Sequence, residues 1–183
     1  MIDLETPRLK IKPLASANAE DALRYQVKNH DYFKPYAPLS SKDQLTLKYW
    51  QRKIWNSQTD WHKDSAYRFY LTLKEDIQEN CSGIISFTQV FRSAYQSCLL
   101  GFNLDEELRG KGLIPEALEK LIEYIFEDKL IHRINAYYHP NNAASEKVLQ
   151  KVKFQKEGLI KGYLNINNEW QDHILTSRLN SFL

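Results

Sequence analysis

The sequence is short of several features that mark out particular protein classes. It has two cysteines in 183 residues, Cys81 and Cys98, and no Cys-x-x-Cys pair. Cysteines used this way read as buried thiols in a reducing, cytoplasmic setting, not as a disulfide or a metal site. The five histidines never take the His-Glu-x-x-His spacing, so no metal is expected. No apolar run approaches membrane-spanning length. The start, Met1-Ile2-Asp3-Leu4-Glu5, is acidic and lacks the apolar core of a signal peptide, so none is expected. Net charge is only +2, and Lys and Arg form no run that would mark a nucleic-acid face. No membrane partner is expected either. There are no repeats, low-complexity stretches or linkers, so residues 1–183 read as a single domain.

Glycine is scarce too, six in all, which sets off the two that stand one residue apart in Leu108-Arg109-Gly110-Lys111-Gly112-Leu113-Ile114-Pro115-Glu116. Before this stretch, Cys98-Leu99-Leu100-Gly101-Phe102-Asn103-Leu104 reads as a strand. After it, Ile114, Ala117, Leu118, Leu121, Ile122, Ile125 and Phe126 mark one face of a helix. Strand, glycine loop and helix in that order make an anion site. The glycines allow positive φ and close approach of a ligand. The first free N–H groups and the positive end of the helix dipole point back at the loop. Pro115 suits a first turn, and Arg109 and Lys111 add positive charge. Phosphate is the natural ligand. A P-loop is excluded because Leu113 follows Gly112, and a Rossmann loop because no third glycine comes. Taken alone, Gly-x-Gly is also what a tight strand-to-helix turn requires.

The rest of the chain alternates strands and helices. Alternation over Arg8 to Leu14 predicts a half-buried strand. Ser16 is placed to cap a helix to about Asn29, with Ala19, Ala22, Leu23 and Val27 inward. Residues 29–40 form a loop rich in aromatics and proline. Ser41-Lys42-Asp43-Gln44 fits a capping box for a helix to about Ser57. Strands follow over residues 67–73 and 83–88, then the strand–loop–helix unit. Another strand, Ile131 to Tyr138, stops at His139-Pro140. Asn142 opens a helix with Ala143, Ala144, Val148, Leu149 and Val152 inward. The chain ends in two strands joined by a turn at Asn165-Ile166-Asn167-Asn168, with Gly158 and Gly162 as bends in the first. The expected fold is mixed α/β (α+β), with a central, mostly antiparallel twisted sheet of about seven strands and about four helices.

Several pieces match a known family in order and spacing. They are Thr6-Pro7-Arg8-Leu9, Asn29-His30-Asp31-Tyr32-Phe33-Lys34-Pro35-Tyr36, Leu100-Gly101-Phe102, Arg109-Gly110-Lys111-Gly112-Leu113, His132-Arg133-Ile134 and Pro140-Asn141-Asn142-Ala143-Ala144-Ser145. Near the end come Lys156-Glu157-Gly158, Lys161-Gly162-Tyr163-Leu164 and Trp170-Gln171-Asp172-His173. Together they resemble the GCN5-related N-acetyltransferase (GNAT) superfamily, and within it the RimJ/RimL-type ribosomal-protein N-terminal acetyltransferases.

The resemblance implies acetyl-CoA as cofactor. The backbone of Phe102, Asn103 and Leu104 would pair with the pantetheine arm. Amides from Arg109 through Gly110, Lys111 and Gly112 to Leu113 would hold the pyrophosphate, and Asn142 would bond the pantetheine. For Asn142 a plain helix cap is an equal account, and both can hold at once. The oxyanion donor would be a backbone N–H near Leu104 or Asp105. The tyrosine acid of many members is absent, since Leu149 stands there. Ser145 matches the serine that takes its place in the Rim branch. The base is open, because the glutamate of some members falls on Leu164. The candidates are His139, Asp172 and His173. A further departure is Lys153, where the family has Gly before Phe154, and it bears on the bend there.

The acceptor implied is a protein N-terminal amine, and the Rim-branch resemblance points to that of a ribosomal protein. An α-amino group, with pKa near 8 against about 10.4 for lysine, is the easier nucleophile at neutral pH. Tyr32 and Tyr36, with Trp50 and Trp55, are placed to line its groove, although core packing is the alternative for aromatics at such spacing. Two other readings stay open: acetylation of a small amine such as a polyamine, amino acid or antibiotic, and a non-catalytic acetyl-CoA-binding regulator. Acidic residues for a polycation are scattered, at Asp60, Asp64, Glu75 and Asp76. Oligomeric state, monomer or homodimer, is not legible.

Overall fold

The computed structural model describes residues 1–36 and 42–181. In chain order the elements are β1 (Leu4–Glu5), β2 (Leu9–Pro13), α1 (Ala19–Lys28), α2 (His30–Phe33), α3 (Leu47–His62), β3 (Tyr67–Leu73), β4 (Gly83–Phe91), β5 (Ser97–Leu104), α4 (Leu113–Glu127), β6 (Arg133–Tyr138), α5 (Ala143–Lys151), β7 (Gln155–Ile166) and β8 (Glu169–Leu179). They build one eight-stranded sheet in the order β1-β2-β3-β4-β5-β6-β8-β7. All neighbours run antiparallel except β5 and β6. The strand beyond the expected seven is β1, two residues paired with β2 and too short for any periodicity. The extra helix is α2, a single turn.

The sheet has a helix layer on each face. On one face α4 lays Leu113, Ala117, Leu118, Leu121, Ile122 and Ile125 against Leu9, Ile11, Phe69, Leu71, Ile85 and Ile134, all buried, with Leu149 of α5 joining them. Burying a side chain of this size contributes roughly 1.5–3 kcal/mol, so this stripe is the main hold on α4. The other face is a smaller cluster of Leu14, Ala22, Tyr25, Trp50, Tyr70 and Ile84 under α1 and α3.

Helix starts differ from expectation. Asn18, not Ser16, caps α1, its side chain accepting the Asp21 N–H at 2.9 Å. Ser16 lies in a one-turn 3-10 helix and its hydroxyl donates to the Pro13 carbonyl. On α1 the buried residues are Ala22, as expected, and Tyr25, while Val27 is 53 % exposed. Ser41 of the expected capping box lies outside the described residues. Thr46 caps α3 instead, accepting from the Tyr49 N–H. That helix runs past Ser57 to His62, which brings Trp61 edge-on to Tyr67 and Phe69, with centroids at 5.2 and 5.4 Å. In α5, Ala143 and Ala144 are exposed and Leu149 makes the burial. The last turn is two residues, Asn167 and Asn168, both at positive φ (53° and 66°), and its strands include Asn165 and Ile166.

Lys153 answers the question of the bend. Its φ is +62°, the conformation glycine would take. Phe154 N–H donates to Leu149 O at 2.9 Å and Lys153 N–H to Gln150 O at 3.0 Å, which closes α5 in a Schellman motif. The bend is kept, with a lysine in the left-handed position.

Candidate active site

The sheet opens where its one parallel pair ends. β5 and β6 pair from Ser97↔Arg133 to Leu100↔Ala136 and no further. Beyond that point β5 continues beside β4 as far as Gly83↔Leu104, and β6 stays with β8 as far as Tyr138↔Ile174. Asp105 N–H donates toward β4, to Ser82 O at 2.9 Å. Backbone groups alternate sides along a strand. The N–H and C=O of Phe102 and Leu104 therefore face the gap that β6 has left. Asn103 faces β4. Its side-chain oxygen accepts from Tyr25 Oη at 2.8 Å and from Ile84 N–H at 3.1 Å, so Asn103 ties α1 to the sheet. With the Asp105 N–H engaged, the Leu104 N–H is the one at this point that faces the gap and has no acceptor among the described residues.

The glycine loop closes one end of the gap. Gly110 and Gly112 have φ of +73° and +75°. A Cβ on Gly110 would meet nothing within 4 Å, so that backbone is open to a ligand. Arg109 N–H donates to Glu106 O. The N–H groups of Gly110, Lys111, Gly112, Leu113 and Ile114 find no acceptor among the described residues. They line up at the start of α4, where the dipole is positive. The Arg109 guanidinium lies over the Tyr32 ring at 4.9 Å.

Two clasps hold this loop, neither assigned a role from the sequence. Arg8 donates from Nη1 to Lys111 O at 2.8 Å and from Nε to Glu116 Oε2 at 2.7 Å. Thr6 Oγ1 donates to Glu116 Oε1 at 2.6 Å. Burial would raise the Glu116 carboxyl, but the Thr6 hydroxyl and the Arg8 donors outweigh it and hold it below the usual range. On the other side, buried Asp105 meets Lys28 Nζ at 2.9 Å. Buried Asn29 accepts the Glu106 N–H at 2.9 Å. Both Arg8 and Asn29 fall in stretches that carried the family resemblance, which was the available signal.

On the far bank, Asn142 caps α5, its Oδ1 accepting the Ser145 N–H at 3.0 Å. The Ser145 hydroxyl and the Asn142 Nδ2 have no partner among the described residues. His139 and Tyr137 lie on the sheet face opposite Ala136 and Tyr138, so they are on the α1 side. There an aromatic group gathers. Tyr36 approaches His139 at 6.2 Å between centroids, His139 approaches His173 at 6.0 Å, His173 approaches Tyr163 at 5.7 Å and Tyr163 lies over Tyr137 at 4.4 Å. Burial and Tyr137 push the Tyr163 hydroxyl up to about 12. The Asp172 carboxylate is turned away to Gly162 N–H at 2.8 Å. Asn167 Nδ2 donates to Lys34 O at 3.3 Å, so the β7–β8 turn touches the segment carrying Tyr36. Of the aromatics expected in a groove, Tyr36 is here and Tyr32 lies under Arg109 at the glycine loop. Trp50 is core at 1 % exposure, and Trp55 is 71 % exposed and outside the group.

A model of the acetyltransferase (GNAT) domain matches residues 8–155. The chain belongs to the GNAT acetyltransferase family. Among GNAT relatives it is similar to the probable N-acetyltransferase YjcK of Bacillus subtilis, 32% identical over 97% of each chain. It is equally similar to the [ribosomal protein uS5]-alanine N-acetyltransferase of Escherichia coli, 32% identical over 96% of this chain and 90% of the relative. The crystal structure of the ribosomal-protein-S5-alanine acetyltransferase from Vibrio fischeri superposes with a TM-score of 0.93, at 30% identity, over 99% of this chain and 98% of that one. This GNAT domain is one mixed α/β unit, and its reaction class is N-acetyl transfer. Among the described residues no helix is long and apolar enough to cross a membrane. No group of three or more His, Cys, Asp or Glu side chains among them could hold a metal ion.

Proposed function

We propose that this protein is an acetyl-CoA-dependent N-acetyltransferase whose acceptor is the N-terminal α-amino group of a protein, a ribosomal protein beginning with Ala or Ser. The observation that carries the reading is the gap between β5 and β6, with free backbone groups along one bank and the unpaired amides of residues 110–114 at its end. This donor set fits acetyl-CoA. A pantetheine arm has amides that pair with an open strand edge, and a pyrophosphate needs converging N–H donors. When bound, acetyl-CoA supplies an activated acetyl thioester.

The chain's own residues then divide the work. Phe102 and Leu104 hold the arm through their backbones, with Asn103 bracing the strand from behind. Gly110, Lys111, Gly112, Leu113 and Ile114 donate to the pyrophosphate, and Arg109 and Lys111 add charge. Asn142 caps α5 with its oxygen and serves the arm with its Nδ2. The Leu104 N–H is the oxyanion donor, preorganised because its strand is fixed to β4. The Ser145 hydroxyl delivers the proton that the departing sulfur needs. The acceptor enters from the α1 face, past Tyr32, Tyr36 and His139. Such an acceptor suits a wall of aromatic rings. A polyamine would want carboxylates; of the four the sequence offered, Asp60 is engaged with Arg68, Asp64 with Arg92, and Asp76 with the Gln78 and Asn80 N–H groups. The setting we propose is the cytoplasm, where Cys81 and Cys98 stay reduced.

The test is to incubate the purified protein with acetyl-CoA and short peptides differing in their first residue, with polyamines and lysine alongside. CoA release is followed and acetyl transfer located by mass. Transfer to the α-amino group of Ala- or Ser-initiated peptides is expected. Transfer only to the small amines would refute the acceptor assignment.

A further inference from the structure

The two histidines at the open end of the β6–β8 ladder are not equivalent. They occupy the register position next after Tyr138↔Ile174, and their rings meet edge to face. His139 Nδ1 accepts the Asn141 N–H at 3.1 Å. A neutral ring bonded in this way carries its hydrogen on Nε2, so His139 turns a donor to its surroundings. His173 is the reverse. Its Nδ1 lies 3.1 Å from the Gln171 carbonyl oxygen, which can only accept. Nδ1 therefore carries the hydrogen, and Nε2 keeps its lone pair. The residue is 3 % exposed, yet Nε2 is not sealed off.

Among the described residues the groups facing this ring are few. Tyr163 comes from β7, Tyr137 and His139 from β6 and the segment after it, and Tyr36 lies beyond His139. Asp172, next along β8, spends its carboxylate on Gly162. Burial lowers the His173 imidazolium below the ordinary histidine range, and His139 adds to this; the Gln171 carbonyl and Asp172 oppose it without reversing it. The ring is neutral at pH 7, with a fixed tautomer.

We propose that His173 Nε2 is the proton acceptor for the incoming amine, at the aromatic group of Tyr36, Tyr137, His139 and Tyr163. The inference rests on the acceptor reading above and supplies its missing base. An N–H bond of the acceptor ammonium breaks and its electron pair stays on nitrogen as the attacking lone pair. The proton goes to Nε2, and the imidazolium later returns it to solvent. As the C–N bond forms the thioester C–S bond breaks, and the second proton lost by the nitrogen replaces the one that Ser145 gives to the departing sulfur. Before that step the ring faces favour the cation.

The pH dependence distinguishes this from a site without a base. With no base only the free amine reacts, roughly a tenth of an α-amino group at pH 7 for a pKa near 8. With His173 as base the bound ammonium is used directly. The experiment is kcat/KM against pH for an N-terminally free peptide, with wild type and His173→Asn. The Asn side chain keeps an N–H for Gln171 and removes Nε2. Wild type is expected to stay level between about pH 6.5 and 8. The variant should fall about tenfold per pH unit below 8 and lie about tenfold under wild type at pH 7, with the KM for acetyl-CoA unchanged. Added imidazole should restore part of the rate to His173→Ala, and melting curves show that each variant is folded. A His173→Asn profile parallel to wild type, with no imidazole rescue, overturns the assignment. Absence of transfer to any peptide by wild type instead overturns the acceptor reading beneath it.

Discussion

Arg8 and Glu116, one entering the first long strand and the other in the first turn of α4, meet side by side: Nε lies 2.7 Å and Nη2 2.6 Å from Oε2. Arg8 Nη1 also holds the Lys111 carbonyl at 2.8 Å. In a planar trans peptide the carbonyl and the next N–H point opposite ways. Fixing Lys111 O therefore aims the Gly112 N–H away from Arg8 and into the anion nest. Arg8→Ala is expected to raise the Kd for acetyl-CoA about tenfold, the effect of losing one or two such bonds, with a smaller change in kcat. Titration calorimetry reads this directly, and an unchanged Kd would separate the clasp from the nest.

Lys153 occupies a glycine's conformation at the end of α5. A left-handed L-residue costs roughly 1–2 kcal/mol, and glycine gives back part of that as unfolded-chain entropy. Lys153→Gly should therefore stabilise the protein by about 0.5–1 kcal/mol, raising Tm by roughly 1–4 °C. Activity should not change, because the Lys153 side chain is exposed and the bend itself is kept. A lower Tm would mean that the lysine side chain contributes more than its backbone costs.

Buried His173 also couples stability to pH. Its folded pKa is depressed, so between that value and the unfolded value of about 6.5 the unfolded chain binds more protons. Stability contributed by the neutral ring is full above pH 6.5 and is lost as pH falls. Wild-type Tm should thus drop more between pH 7.5 and 5.5 than that of His173→Asn. Equal slopes would place the ring in contact with solvent.

Ser145 stands with its N–H taken by Asn142 and its hydroxyl unpaired among the described residues. Ser145→Ala should reduce kcat by about 10- to 100-fold and leave acetyl-CoA affinity and Tm near wild type. Turnover unaffected by this change would remove the serine from the proton path. Asn142→Ala, by contrast, removes a cap and should also cost about 1 kcal/mol of stability, which a melting curve resolves.

What could be read from consecutive residues was read correctly where one local rule acted alone. The apolar stripe of α4 and the Gly-x-Gly loop are such cases, and so is the strand over Tyr67–Leu73, because periodicity and turn chemistry reside in neighbouring residues. Where several residues competed for one local role, packing chose among them. Asn18 displaced Ser16 as cap, and Tyr25 displaced Val27 on the inner face, because Tyr25 reaches Asn103 across the sheet. The site itself was out of reach of any local rule. The gap exists because two strands that pair at one end take different partners at the other. His139 meets His173, and Arg8 meets Glu116, only through the register of strands and helices distant in sequence. The residue types at the site were therefore legible in the sequence, while tertiary pairing alone decided which of them face one another and which histidine keeps a free lone pair.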